Sequence, residues 1–389
     1  MNYRFISLFA LVFFLVLLFV SSCNPSRRTT PGVFESMLNK TLQEELAIQP
    51  IRLPNASIGL SLIPRNYDDS VEGWVEALTV AQHLGVQVLQ LPSGYWKEDE
   101  PVQGAYQWDA MERFFEAIDM MGIDFDVSQD FGGPFFHAQN MAPEYLQPIE
   151  LTDPMFGEAY LSYLESYLER FGDRITHILI HAEGTYSYFD AHPDHLDAYL
   201  NLLDRIRGVV NQRWPKVSVG VNIDPQNRPE LLSEISSHLD FIGFDVVQTE
   251  GFLEQPGDLE SVINFILANT ANQPVSLACG WSSAPSLGGG EEPQSKLYQE
   301  LFRILQKNQS RIEYVVVGPP VDENKEIVRP AYEAQFAHLP KPFVAEIVDW
   351  IVQLGLIRTD GSGKPALQTV RTEIQKYYYG SRGNAPTPE

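Results

Sequence analysis

The chain has 389 residues, a formal net charge of −24 at pH 7 and a pI near 4.7, and no cluster of Lys or Arg forms a basic stripe along it. Such a surface repels nucleic acid and anionic lipid headgroups, which sets both aside as partners. Its two cysteines, Cys23 and Cys279, supply no disulfide framework, so an ordinary apolar core must hold the fold, and a chain that is 44% apolar can build one.

Arg4 is the one charge ahead of an almost wholly apolar run from Phe5 to Val20, and Ser21-Ser22-Cys23 follows. A basic start, an apolar core of this length and small residues at the cut describe a secretory leader over residues 1–22 rather than a spanning helix. A Cys directly after small residues resembles the lipobox of bacterial lipoproteins. That resemblance implies cleavage before Cys23, lipid on its sulfur and new amino group, and a chain tethered to the membrane of the bacterial cell envelope. Residues 23–31 are polar and aperiodic and read as a linker. One domain is expected over 32–380, with 381–389 a disordered tail.

Within the domain, a polar–apolar pattern from Phe34 to Ala47 predicts a short lead-in helix. Then strands and helices alternate. The apolar runs predict strands at Ala56–Ile63, Val86–Leu91, Ile123–Ser128, Ile175–His181, Val217–Asp224, Leu239–Val247, Pro274–Cys279 and Ile312–Val317. Helical spacing predicts Val71–Leu84, Trp108–Met121, Phe156–Phe171, Leu196–Gln212, Glu230–Ser237, Leu259–Ala268, Gln294–Lys307 and Val344–Leu354. Gly85, Gly122 and Gly172 stop the first three of these helices.

Eight β-then-α units point to an α/β fold, a (β/α)8 TIM barrel. A doubly wound nucleotide-binding sheet is disfavoured, because Pro64-Arg65-Asn66-Tyr67 after the first strand carries no Gly-rich phosphate fingerprint. A barrel of this kind builds its site at the C-terminal ends of its strands. The strand-end residues here are carboxylates, amides and aromatics, with no Lys, and carbohydrate sites are built from such groups. Glu183, after the fourth strand, is the candidate proton donor. Asp130 and Asp245 are candidate partner carboxylates, with Glu250 a further one. Tyr95, Trp96, Phe131, Tyr186, Tyr188 and Trp281 are candidate stacking faces, and Asn222 and Gln248 candidate hydrogen-bonding groups. Asp322 and Glu323 close the rim after the last strand. His181, His192 and His195 do not have metal-ligand spacing, no Gly-x-Ser-x-Gly elbow is present, and no cofactor is expected.

Trp96-Lys97-Glu98-Asp99-Glu100-Pro101 followed by Gly104-Ala105-Tyr106-Gln107-Trp108-Asp109 resembles the segment that follows strand two in clan A glycoside hydrolases, which are retaining (β/α)8 barrels. Phe171-Gly172-Asp173-Arg174-Ile175 resembles the run before their strand four. Gly355-Leu356 through Asp360-Gly361 to Lys364-Pro365-Ala366 resembles their closing segment. Endo-galactanase-like and cellulase-like members are nearest. The resemblance implies a general acid/base at Glu183 and a nucleophilic Glu at the end of strand seven. The chain departs at both. Ala182 stands where the clan has an Asn that bonds the sugar 2-hydroxyl, and strand seven offers Ala278 or Cys279 where the nucleophile should be.

Three readings follow. The chain hydrolyses a neutral poly- or oligosaccharide with another carboxylate around the rim. Or it is a tethered pseudoenzyme that binds glycan without cutting it. Or Cys279 is itself a nucleophile, which would require a nearby cation to hold a thiolate.

Overall fold

The computed structural model describes residues 56–94, 96–132, 135–136, 139–140, 142–181, 185–223, 229–247, 258–270, 272–335 and 340–380. The expected leader, Cys23, the linker, the lead-in helix and the tail all lie outside these residues. So do Tyr95, Glu183, Gln248 and Glu250.

Eight parallel strands close into a barrel: β1 (Ser57–Ser61), β2 (Val88–Gly94), β3 (Asp126–Phe131), β4 (His177–His181), β5 (Ser218–Ile223), β6 (Phe241–Val247), β7 (Val275–Gly280) and β8 (Ile312–Val317). Each pairs with its neighbours in sequence, and β8 closes onto β1. The (β/α)8 architecture expected from the alternation is the one observed. A two-stranded hairpin, Phe135–Phe136 with Gln139–Asn140, follows β3.

Alternation along each strand divides side chains between the barrel interior and the helix layer. Val88, Leu179, Phe241, Tyr314 and Val316 pack together inside the barrel, with Ala278 against them. The rings of Phe241 and Tyr314 lie against His177, and the Tyr314 hydroxyl bonds Ser128 at 2.9 Å. This interior is a filled core, and glycines make room for it. A Cβ on Gly220 would stand 2.7 Å from the Phe241 ring, and one on Gly243 would stand 2.9 Å from Leu179.

The third strand begins at Asp126 rather than Ile123, because residues 123–125 form the exit from the preceding helix and Asp126 N–H bonds Gln87 O. Asp130 and Phe131 are therefore strand residues, not loop residues.

The ring helices form where caps and stripes foretell. α1 (Val71–Leu84) starts at Ser70, whose hydroxyl accepts from Gly73 N–H, and ends at Gly85 with φ 76°. α2 (Asp109–Met121) ends at Gly122 with φ 63°. Glycine alone takes these left-handed positions without strain. α3 (Pro154–Phe171) starts at the Asp153 cap with Pro at its first turn. α4 (Leu196–Arg213), α5 (Pro229–Ser237), α6 (Leu259–Asn269) and α7 (Glu291–Asn308) follow β4 to β7.

The eighth unit differs from expectation. After β8 the chain makes an excursion of two helices, α8 (Lys325–Gln335) and α9 (Lys341–Ile351), with an apolar cluster of their own built on Tyr332, Ile347, Trp350 and Ile351. The predicted helix over 344–354 belongs to this excursion. The ring is closed instead by α10 (Pro365–Gly380), which packs between α7 and α1. Tyr378 joins it to the barrel: its hydroxyl accepts from Ile58 N–H and donates to Gln87, both at 3.0 Å. Among the described residues no helix is long and apolar enough to cross a membrane.

Candidate active site at the C-terminal mouth of the barrel

The upper interior layer of the barrel holds two amide–carboxyl pairs. Gln90 on β2 donates from Nε2 to Asp130 Oδ2 on β3 at 3.0 Å. Asn222 on β5 donates from Nδ2 to Asp245 Oδ2 on β6 at 2.7 Å. Asp130 is 1% exposed, and burial pushes its carboxyl up to about 8 against the opposing effect of the Gln90 bond. Burial thus favours the neutral acid form of Asp130. Its Oδ1 and the Oδ1 of Asn222 are buried and make no hydrogen bond among the described residues.

Strand register places Asp245 directly beside Ala278 on β7. Ala278 is the residue of β7 that packs against the interior cluster, whereas Cys279 packs with the helix layer and is 2% exposed. Burial and the nearby Asp245 push the Cys279 thiol up, and a neutral thiol facing the helices is not a nucleophile. The strand-seven position that faces the mouth is therefore an alanine with an aspartate at its side.

Four of the expected stacking faces are placed elsewhere. Trp96 is fully buried, its indole donates to Glu100 at 2.8 Å, and Phe156, Tyr160 and Tyr163 surround it. Phe131 packs edge-on against Tyr163 and Tyr167 in the helix layer. Tyr188 is buried, with its hydroxyl 2.9 Å from His195 Nδ1. Trp281 is 1% exposed. An aromatic at a strand end satisfies apolar burial as readily as it serves a sugar, and here burial prevails. Tyr186 lies in a described helix, Thr185–Ala191, but its side chain is outside the described residues. Glu183 stands in sequence two residues beyond His181, the last residue of β4.

Asp322 and Glu323, which close the rim after the last strand, belong to a second carboxyl cluster. Glu323, beyond β8, is 9% exposed and accepts from the Tyr332 hydroxyl, whose oxygen is 3.0 Å from Oε2. Tyr332 in turn bonds the hydroxyl of Tyr67, in the turn after β1. Burial raises Glu323 to about 7, with the bonds from Tyr67 and Tyr332 opposing. Glu323 also lines a cavity of about 30 Å³, together with Gln90, Asp245, Ala278, Ile351 and Leu354 among others. Among the described residues no group of three His, Cys, Asp or Glu could hold a metal ion.

No protein-family model matches the chain, and no curated protein matches it. Solved structures do. The chain is similar to a family GH5_18 protein from Streptomyces cattleya in complex with Manβ1-4GlcNAc, with a TM-score of 0.64 and 15% identity over 86% of this chain and 83% of that one. It is similar to an exo-β-1,4-mannosidase from Opitutaceae bacterium strain TAV5, with a TM-score of 0.60 and 16% identity over 88% of this chain and 62% of that one. It is also similar to a psychrophilic family 10 endo-β-1,4-xylanase, with a TM-score of 0.54 and 13% identity over 82% and 96%. At these identities the likeness is one of fold: the chain has the eight-stranded barrel of the clan A glycoside hydrolases.

Proposed function

We propose that this protein is a lipid-tethered glycoside hydrolase acting on a neutral poly- or oligosaccharide, with Glu183 as the proton donor. The observation that carries this reading is the pair of carboxyls in the upper interior layer of a glycoside-hydrolase-like barrel. Burial favours the neutral form of Asp130. Asp245 is oriented by Asn222 and stands beside the alanine that replaces the strand-seven carboxylate. In this role Asp245 faces the positive charge that develops on the sugar ring, and Asn222, with the buried Gln90–Asp130 pair, holds the polar layer in place. Neutral substrate suits a chain of net charge −24.

The test compares wild type with Glu183→Gln and Asp245→Asn on a panel led by Manβ1-4GlcNAc, the ligand of the Streptomyces structure, with β-1,4-mannan, xylan and galactan alongside. Glu183→Gln is expected to lower kcat by about a thousandfold, within the range for loss of a general acid. Cleavage that survives this change removes Glu183 from the mechanism.

Ala278 favours a second reading. Without a strand-seven carboxylate the usual covalent intermediate cannot form, and a glycan-binding barrel would keep the amides and lose the nucleophile. Under that reading no substrate of the panel is cut, while a bound glycan raises the melting temperature by mass action.

A further inference from the structure

We propose that Glu323 is the general base of this site, acting on a water held in the cavity it shares with Asp245 and Gln90, with Tyr332 and Tyr67 as its positioning and proton-relay residues. The inference rests on the hydrolase reading above and names the group that replaces the missing carboxylate.

The location comes from the topology. β8 lies beside β7, so a carboxyl just beyond β8 is next to the strand whose own mouth-facing position is Ala278. Glu323, Asp245, Ala278 and Gln90 all line the same cavity. About 30 Å³ is room for one or two waters. A carboxyl bounding such a space can activate one of them.

The cluster is also built at a cost that packing alone would not demand. Leu or Met at position 323 would fill the same volume without burying an ionisable group, a cheaper solution for stability. The turn after β1 holds Asn66 at φ 52° and Tyr67 at φ 58°, left-handed conformations that neither side chain favours. That strain brings the Tyr67 hydroxyl to Tyr332 and lets Asn66 Oδ1 accept from Asn324 N–H at 2.8 Å, which fixes the residue after Glu323. The turn after β1 and α8 therefore converge on one carboxyl. Tyr332 is buried and Tyr67 half-buried, so the hydrogen-bonded chain from Glu323 through Tyr332 ends on a half-buried residue.

In the step itself, the water in the cavity gives one proton to the Glu323 carboxylate as its oxygen bonds to the anomeric carbon. The glycosidic C–O bond breaks with its electron pair on the leaving oxygen, and that oxygen takes the Glu183 proton. Glu323 then loses its proton through Tyr332 and Tyr67, and Glu183 is reprotonated from bulk water, so one water is consumed. Direct attack by water inverts the anomeric carbon. The ionisable groups around Glu323 are Asp322 on its own loop, Tyr332 on α8, Tyr67 after β1, and Asp245 in the same cavity lining. Lys364 and Arg358 reach it only through Asp322.

The experiment follows the anomeric configuration of the first product by proton NMR, then measures Glu323→Gln, Glu323→Ala with added azide, and Tyr67→Phe. Expected results are inversion by wild type, a fall in kcat of about a thousandfold in Glu323→Gln with KM within threefold, and formation of a glycosyl azide by Glu323→Ala. Tyr67 is half-buried, so Tyr67→Phe retains the fold, with kcat lowered about tenfold and KM unchanged. A retained product, or a Glu323→Gln enzyme as fast as wild type, overturns the role of Glu323 and leaves the hydrolase reading standing. A wild type that cuts no neutral glycan overturns both.

Discussion

Asp130 sits at the top of the barrel interior with a folded-state pKa of about 8 against an ordinary value of 3.8. The folded protein therefore binds this proton more tightly than the unfolded chain. Stability is fully present at low pH and declines as pH rises from about 4 to about 8. Asp99, raised to about 7 by burial, acts in the same direction, as does Glu323. Melting temperature is expected to fall between pH 5.5 and 8.5, and to fall less steeply in Asp130→Asn, which keeps the acceptor for Gln90. Parallel pH profiles for the two proteins would show that Asp130 is not held neutral. At this scale the sequence was partly legible. Asp130, Asn222 and Asp245 follow from collecting polar residues at strand ends. Phe131 was misplaced because side-chain direction alternates and the true start of β3 sets that alternation, and Trp96 because it opens a short helix, Trp96–Asp99, that turns its ring into the core. The same alternation separates Ala278, facing the mouth, from Cys279, facing the helices. Gln90 was missed because an amide inside Val88-Leu89-Gln90-Leu91 reads as an interruption of a core strand, and its partner Asp130 is 40 residues away.

The excursion of α8 and α9 is pinned by one buried ion pair. Lys364, ahead of α10, donates to Asp322 at 2.6 Å, to Ser283 at 2.7 Å and to the Gly355 carbonyl at 2.8 Å. Lys364 and Asp322 side chains are 1% and 7% exposed. Removing one partner leaves an uncompensated charge, so Lys364→Met is expected to cost about 3–5 kcal/mol in urea unfolding. Asp322→Leu combined with Lys364→Met is expected to recover most of that loss, and a double variant no better than the single one would argue against the pairing. Tyr378→Phe removes a hydroxyl that serves both Ile58 N–H and Gln87, with an expected cost of about 1–3 kcal/mol. The ring helices from α1 to α7 were readable because each carries an apolar stripe and most end at a glycine or polar loop. The eighth was not. α9 has a strong stripe of its own, buried against α8 rather than the barrel, and periodicity reports that a face is buried without saying against what.

For the whole molecule, the regular alternation of eight apolar runs with helical segments was enough to identify the barrel, since few folds accommodate that order. The lipid anchor stands apart from the fold as a reading of residues 1–23. It is tested by metabolic labelling with radioactive palmitate: wild type is expected to incorporate label and partition with membranes, and Cys23→Ser to do neither.

Ala56, the residue ahead of β1, accepts the Tyr377 hydroxyl at 3.0 Å at the N-terminal pole of the barrel. The amide–carboxyl pairs and Glu323 lie at the opposite pole. The described chain therefore enters the barrel at the pole opposite its candidate site, so the joint at Ala56 and the chemistry at the mouth are separated by the length of the strands.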